Sequence, residues 1–191
     1  MIIIPPPFVS RTYTRCEPFA IEPARQCPLP GAIVRFPPFE QETHGCEEDR
    51  KEILRLHEKY IDVNTRFDRE GLTPIYSPSP DATYFNLNGH TYNGRDHWIR
   101  LWKFYSQNVA STYWTPFDIG GAVTGDLGVV WCHRKTRRQW TGKEPPPKNI
   151  NYDNTEFISR STMVFRKETG QWRVVHAHFS PADAGPRPGG V

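Results

Sequence analysis

Near its C-terminus the chain runs Gly170-Gln171-Trp172-Arg173-Val174-Val175-His176-Ala177-His178-Phe179-Ser180. Apolar residues interleaved with polar ones at a period of two mark a strand. Strict alternation puts Trp172, Val174, His176, His178 and Ser180 on one face, and Arg173, Val175, Ala177 and Phe179 on the other. Two imidazoles and a hydroxyl along one strand face make either a catalytic wall or a structural network. A metal site is a competing use of the same pair, with His97, His133 or Asp118 to complete the ligand set.

Working outward, Glu168-Thr169-Gly170 is a turn that joins this strand to another over residues 156–167. A proline-rich loop over 141–154 precedes it, and before that strands over 111–119 and 127–138 flank the turn Thr124-Gly125-Asp126. A helix is expected over 95–107 after Asn93-Gly94, with Ile99, Trp102 and Tyr105 inward, and a short strand over 82–87. The first helix spans 46–70: Ile53, Leu56, His57, Tyr60, Val63, Asn64 and Phe67 recur on one face. Glu47, Glu48 and Asp49 favour its N-terminal dipole, and Gly71 is the expected stop. His57-Glu58 opens like a zinc-protease helix, but Ile61 stands where the second histidine would be needed. Helices followed by consecutive hairpin strands predict an α+β fold, helices folded onto one antiparallel sheet.

With 191 residues the chain fits one domain plus decoration. Residues 1–45 hold nine of its nineteen prolines, so they read as an extended arm laid over the domain or a neighbouring subunit, and 181–191 read as a flexible Pro/Gly tail. A net charge of +3 with interspersed signs does not favour nucleic acid. Its one basic cluster, Arg134-Lys135-Thr136-Arg137-Arg138, is expected to coat the exposed end of a strand. No run approaches the roughly 20 apolar residues of a membrane span, and Met1-Ile2-Ile3-Ile4 lacks the basic lead of a secretory signal. Cys16, Cys27, Cys46 and Cys132 show no paired spacing and are expected as free thiols of a cytoplasmic protein.

Asp81-Ala82-Thr83-Tyr84-Phe85 and Tyr92-Asn93-Gly94-Arg95-Asp96, with the hairpin from Ser161-Thr162-Met163-Val164-Phe165-Arg166 through the W-x-x-V-H-x-H-x-S run, resemble SnoaL-like domains. They are similar also to the association domain of calmodulin-dependent kinase II; both lie in the nuclear-transport-factor-2-like superfamily. The resemblance covers residues 46–180. It implies a cone: a strongly curved mixed sheet around a single pocket, helices behind it, and assembly into homodimers or larger rings; the arm, outside the resemblance, is expected at the interface. It also implies cofactor-free isomerases, dehydratases and other lyases, or non-catalytic binding and assembly modules.

The expectation drawn from this is a cofactor-independent acid–base enzyme acting on a small aromatic or polycyclic molecule, with no resident metal. A ligand-binding or assembly module is the alternative. His176, supported by His178, would move the proton. The resemblance suggests Tyr84 or Tyr60 as oxyanion donor. Asp118 would orient a histidine or act as base. Trp98, Trp102, Trp114 and Trp131 are consistent with aromatic walls, with Trp98 and Trp131 expected to meet the ligand. His133 and Arg134 alternate on one strand, so one of them faces inward. The resemblance aligns Arg134 with a pocket arginine of the kinase domain, whose second arginine falls at Met163 here, which points to a more apolar ligand.

Overall fold

The computed structural model describes residues 46–148, 152–183, 185, 186, 188 and 189; the expected arm and part of the expected tail lie outside the described residues. Helix α1 (Cys46–Thr65) buries Ile53, Leu56, His57, Tyr60, Val63 and Asn64 as its periodicity predicts. It ends five residues before the expected stop. Phe67 takes a left-handed φ of 52°, and the Asp68 and Phe67 amides close on the Val63 and Asn64 carbonyls at 2.8 and 3.1 Å. This is the double bond pattern that normally recruits glycine. The Phe67 ring offsets the backbone cost by packing on Trp102 and Tyr105, centroids 5.9 and 6.2 Å away. Gly71 instead lies inside the one-turn helix α2 (Arg69–Leu72), its amide capped by the Asp68 carboxylate at 3.0 Å.

Two short strands follow, β1 (Thr83–Phe85) and β2 (Thr91–Asn93), the second not expected from the sequence. Then come α3 (Arg95–Asn108), β3 (Val109–Thr124), β4 (Leu127–Trp140), β5 (Phe157–Glu168) and β6 (Gln171–Pro181). β3 runs past the expected end at 119 because Gly120 and Gly121 are sheet residues, not a turn. A Cβ on Gly120 would lie 2.4 Å from the Trp131 ring, and one on Gly121 would lie 2.6 Å from the Val129 carbonyl. Only glycine lets the strands approach so closely.

The sheet order is β2-β1-β6-β5-β4-β3, antiparallel except for the parallel β1–β6 pair. Its inner face carries Val130, Cys132, Arg134, Thr136 and Arg138 from β4, opposite Ser159, Ser161, Met163 and Phe165 from β5. Ile53 and Tyr60 of α1 and Trp98 and Trp102 of α3 join Val130, Met163 and Phe165 in one core. The result is the expected α+β cone. The basic cluster departs from expectation: Arg134 and Arg138 alternate inward and are buried, at 1% and 5% exposure, while Lys135 alone of its cations is fully exposed. Asp49, in the first turn of α1, accepts from Lys167 Nζ at 2.7 Å and Trp172 Nε1 at 2.8 Å, tying the helix start to the β5–β6 turn. Those two donors hold its carboxyl below the ordinary range. Among the described residues no helix is long and apolar enough to cross a membrane.

Candidate functional site

Alternation fails in β6 at one point, and that point relocates the histidines. Phe165 pairs with Val174 and Val164 with His176, so Val175 is an extra residue, a β-bulge. The Val174 carbonyl is taken by the Ser77 amide at 2.9 Å, just before β6 begins its parallel pairing with β1. A one-residue slip inverts every following side chain. Trp172 and Val174 point inward before the bulge, and Ala177 and Phe179 point inward after it. His176 and His178 therefore lie on the outer face, flanking the ring of Phe85 edge-on at 5.0 and 5.8 Å. An unbulged strand would bury two imidazoles and expose Phe179, a worse exchange of polar for apolar surface. The sequence placed the two histidines in the pocket; the structure puts them outside it.

The inner face holds a cleft lined by Tyr60, Asn86, Leu87, Trp102, Tyr105, Trp114, Arg134, Arg138 and Phe179. Its empty space is about 240 Å³ with open solvent at the mouth included, and the room left between the side chains is little more than that of one water molecule. The Arg134 guanidinium lies 4.7 Å from the ring centres of both Trp114 and Phe179. Its Nη1 donates to the Tyr60 hydroxyl and its Nη2 to Ser159 Oγ, each at 3.2 Å, while Nε has no partner. Arg138, one inward position further along, stacks on Trp114, Tyr152 and Phe157 at 5.1, 5.8 and 5.4 Å, and its Nε is also unpartnered.

Neither arginine has a carboxylate partner among the described residues. Desolvating an ion costs several kcal/mol, whereas a cation–π contact returns about 2 kcal/mol when desolvated, so the rings offset only part of that cost. Both guanidinium carbons sit near the Trp114 ring, so they are at most about 10 Å apart. At an effective dielectric of about 20 that separation implies mutual repulsion of roughly 1.7 kcal/mol. Burial, with the Arg134 charge adding to it, pulls the Arg138 guanidinium below its ordinary value.

The remaining candidates sort by face. Tyr60 lines the cleft; burial raises its hydroxyl above the ordinary value against the pull of Arg134, so it stays protonated. Tyr84 does not line it. Its ring is buried against Tyr76 and Trp98, both 5.1 Å away, its hydroxyl makes a long 3.5 Å contact to the Val174 carbonyl, and burial raises its pKa. Trp98 and Met163 are fully buried core beside the cleft. Trp131 is 45% exposed on the outer face. Of the alternating pair, Arg134 points in and His133 out.

Asp118 does meet a histidine: its Oδ2 lies 3.3 Å from His133 Nδ1, with Phe117 stacked on the same imidazole. That contact sits on the outer face at a bulge in β3, where Asp118 takes a φ of 50°. Among the described residues no three His, Cys, Asp or Glu side chains gather as for a metal ion. Cys132 carries a free, buried thiol, 3.7 Å from His57 Nε2 and 3.2 Å from Ser161 Oγ. Asn86, Leu87, Tyr105, Arg138 and Phe179 are the cleft residues that sequence reasoning did not assign to the pocket, whereas Trp102 and Trp114 line it as expected aromatic walls. The signal for Arg138 was present: it shares the period-two face of Val130, Cys132 and Arg134.

Three solved structures show the same fold. A protein with a cystatin-like fold from Caulobacter vibrioides is 16% identical, over 72% of this chain and 92% of its own, with a TM-score of 0.59. A ketosteroid isomerase-like protein from Erwinia carotovora atroseptica is 13% identical, over 73% and 99%, at 0.57. A nuclear-transport-factor-2-like superfamily protein from Salmonella enterica is 17% identical, over 71% and 93%, also at 0.57. No curated protein matches the sequence. The SnoaL-like domain model matches residues 53–184, which takes in α1 from Ile53 onward, the whole sheet and the cleft between them. On that match, the chain belongs to the SnoaL-like domain family.

Proposed function

We propose that the inner cleft is a binding pocket for a small, single-ring ligand and that the domain works by holding that ligand. The observation that carries this reading is the make-up of the cleft. Flat aromatic walls surround two arginines, and among the described lining residues there is no histidine or carboxylate to accept a proton near neutral pH.

A second reading, a cofactor-free isomerase or lyase, draws on Tyr60, a protonated hydroxyl in the cleft already engaged by Arg134. The ketosteroid isomerase-like neighbour supports the same reading. It requires a base from a residue outside the described lining.

The test is titration of a panel of single-ring compounds, charged and neutral, read by tryptophan fluorescence. At least one is expected to bind, and the double variant His176→Ala/His178→Ala should change its affinity by less than about twofold. Loss of roughly tenfold or more in that variant would return the site to the outer face.

A further inference from the structure

We infer that the tip of the β1–β2 hairpin, residues 86–90, is a gate over the cleft, latched onto Tyr105 by Asn86 and Asn88. The inference rests on the reading of the cleft as a ligand pocket and says how a ligand enters it. Between its side chains the cleft has room for little more than one water molecule, so no ring enters while its walls stay in place. One wall has to move.

Burial and strand pairing single out the tip. Of the residues lining the cleft only Asn86 is not buried, so the way in passes the hairpin. The β1–β2 ladder ends at the pair Phe85–Thr91, and the β1–β6 ladder ends at Phe85–His178. Residues 86–90 extend beyond both. Their backbone bonds, from the Asn86 amide to the His90 carbonyl and from the Gly89 amide to the Asn86 carbonyl, are each 3.0 Å and stay inside the tip. The tip can therefore turn as one piece about its two ends.

One apolar side chain and two amides hold it down. Leu87 is buried in the core and also lines the cleft. Asn86 and Asn88 donate from Nδ2 to the Tyr105 hydroxyl at 3.2 and 3.4 Å, and Asn88 Nδ2 also donates to the Tyr92 hydroxyl at 2.8 Å. Tyr105 is a fixed post: it is 2% exposed and packs on Phe67 and Trp102 at 6.2 and 5.7 Å. Bonds between neutral groups exchange readily for bonds to water, and each shifts an equilibrium by only about two- to tenfold. Opening withdraws Leu87 and leaves an apolar space beside Trp102, Trp114 and Phe179 that a flat ring refills.

The experiment compares the full chain with Asn88→Ala, which weakens the latch without altering a cleft residue. Relaxation dispersion of the Leu87 methyl signals reads the gate, and stopped-flow tryptophan fluorescence reads binding of the single-ring panel. The ligand-free parent should show millisecond exchange at Leu87, with an open state of about 10% or less. Asn88→Ala should raise that population, and with it the association rate and the affinity, by at least about threefold. The dissociation rate should stay within about twofold, because a bound ring already holds the tip open. Tyr105→Phe, which deletes the hydroxyl both amides use, should act in the same direction and carries the comparison if Asn88→Ala does not fold.

Leu87 signals free of exchange in both proteins, with equal association rates, would overturn the gate and leave the ligand pocket standing. Faster dissociation in the variant without faster association would make the tip a cover closed over bound ligand, and would overturn the gate as an entry barrier. Exchange at Leu87 with no compound of the panel binding either protein would sink the pocket reading, and the tip's role in entry with it.

Discussion

Trp98→Ala is expected to lower the unfolding free energy by about 4 kcal/mol, at the upper end of what truncating a buried aromatic costs. Trp98 is fully buried. It stacks nearly parallel on Phe179 at 5.9 Å, with an interplanar angle of 2°, and makes edge or tilted contacts with Trp102, Tyr84, Tyr76 and Tyr92 at 5.4, 5.1, 5.9 and 5.5 Å. So many rings drawn from α3, β1, β2 and β6 leave little room for the hole to collapse, which keeps the cavity cost high. For a domain of this size the loss corresponds to a fall in melting temperature of roughly 10 °C. The effect should reach the cleft as well, because Phe179 packs the Arg134 guanidinium on its way from Trp98. Calorimetry or denaturant titration checks the first part; a loss below about 1 kcal/mol would show that the aromatic stack is not the centre of the core.

Acidification should destabilise the protein through His57 in a window above that of its carboxylates. His57 is 1% exposed on the buried face of α1, beside Cys132 and with the Arg134 charge nearby. Burial first, and Arg134 second, push its pKa down to about 4. In the unfolded chain it would titrate near 6.5. The unfolded state therefore binds a proton that the folded state refuses, and stability is full above pH about 6.5 and falls steadily towards pH about 4. Across that window the loss amounts to about 3 kcal/mol. Asp49, Glu52 and Glu168, all held below the ordinary carboxylate range, add their losses only as the pH drops through the mid-fours and lower. Urea unfolding of the parent and of His57→Gln between pH 7.5 and 4.5 separates the terms: the parent should lose stability and the variant should stay nearly flat above pH 5. Equal slopes in the two proteins would place the acid-sensitive group elsewhere.

The architecture was largely legible because it rests on periodicities. The buried face of α1 and the alternation of β4 and β5 appear in the structure as the apolar pattern predicts. Features controlled by a single backbone event were not. Phe67 ends α1 in a left-handed conformation that propensity assigns to glycine, because two rings of α3 compensate it. The strand expected to end at 119 runs on through Gly120-Gly121, where the backbone passes close to the Trp131 ring.

The bulge at Val175 mattered most for function. It depends on Ser77 and β1 contacting β6 from distant points in the sequence, and local alternation carries no trace of it. One inserted residue moved His176 and His178 out of the pocket. What remained there was Tyr60 and Arg134, both suggested by resemblance, and Arg138, which the same alternation would have placed inward had the basic run not been taken as a surface cluster.

The central claim is that ligand chemistry belongs to the inner face of the sheet and not to the histidine face. The most direct measurement is a nitrogen–proton correlation spectrum of labelled protein titrated with the compound of the single-ring panel that binds it. The account predicts that the indole signals of Trp102 and Trp114 move with ligand while the ring signals of His176 and His178 stay in place. Shifts confined to His176, His178 and the outward Trp131, with the two cleft indoles unmoved, would contradict it.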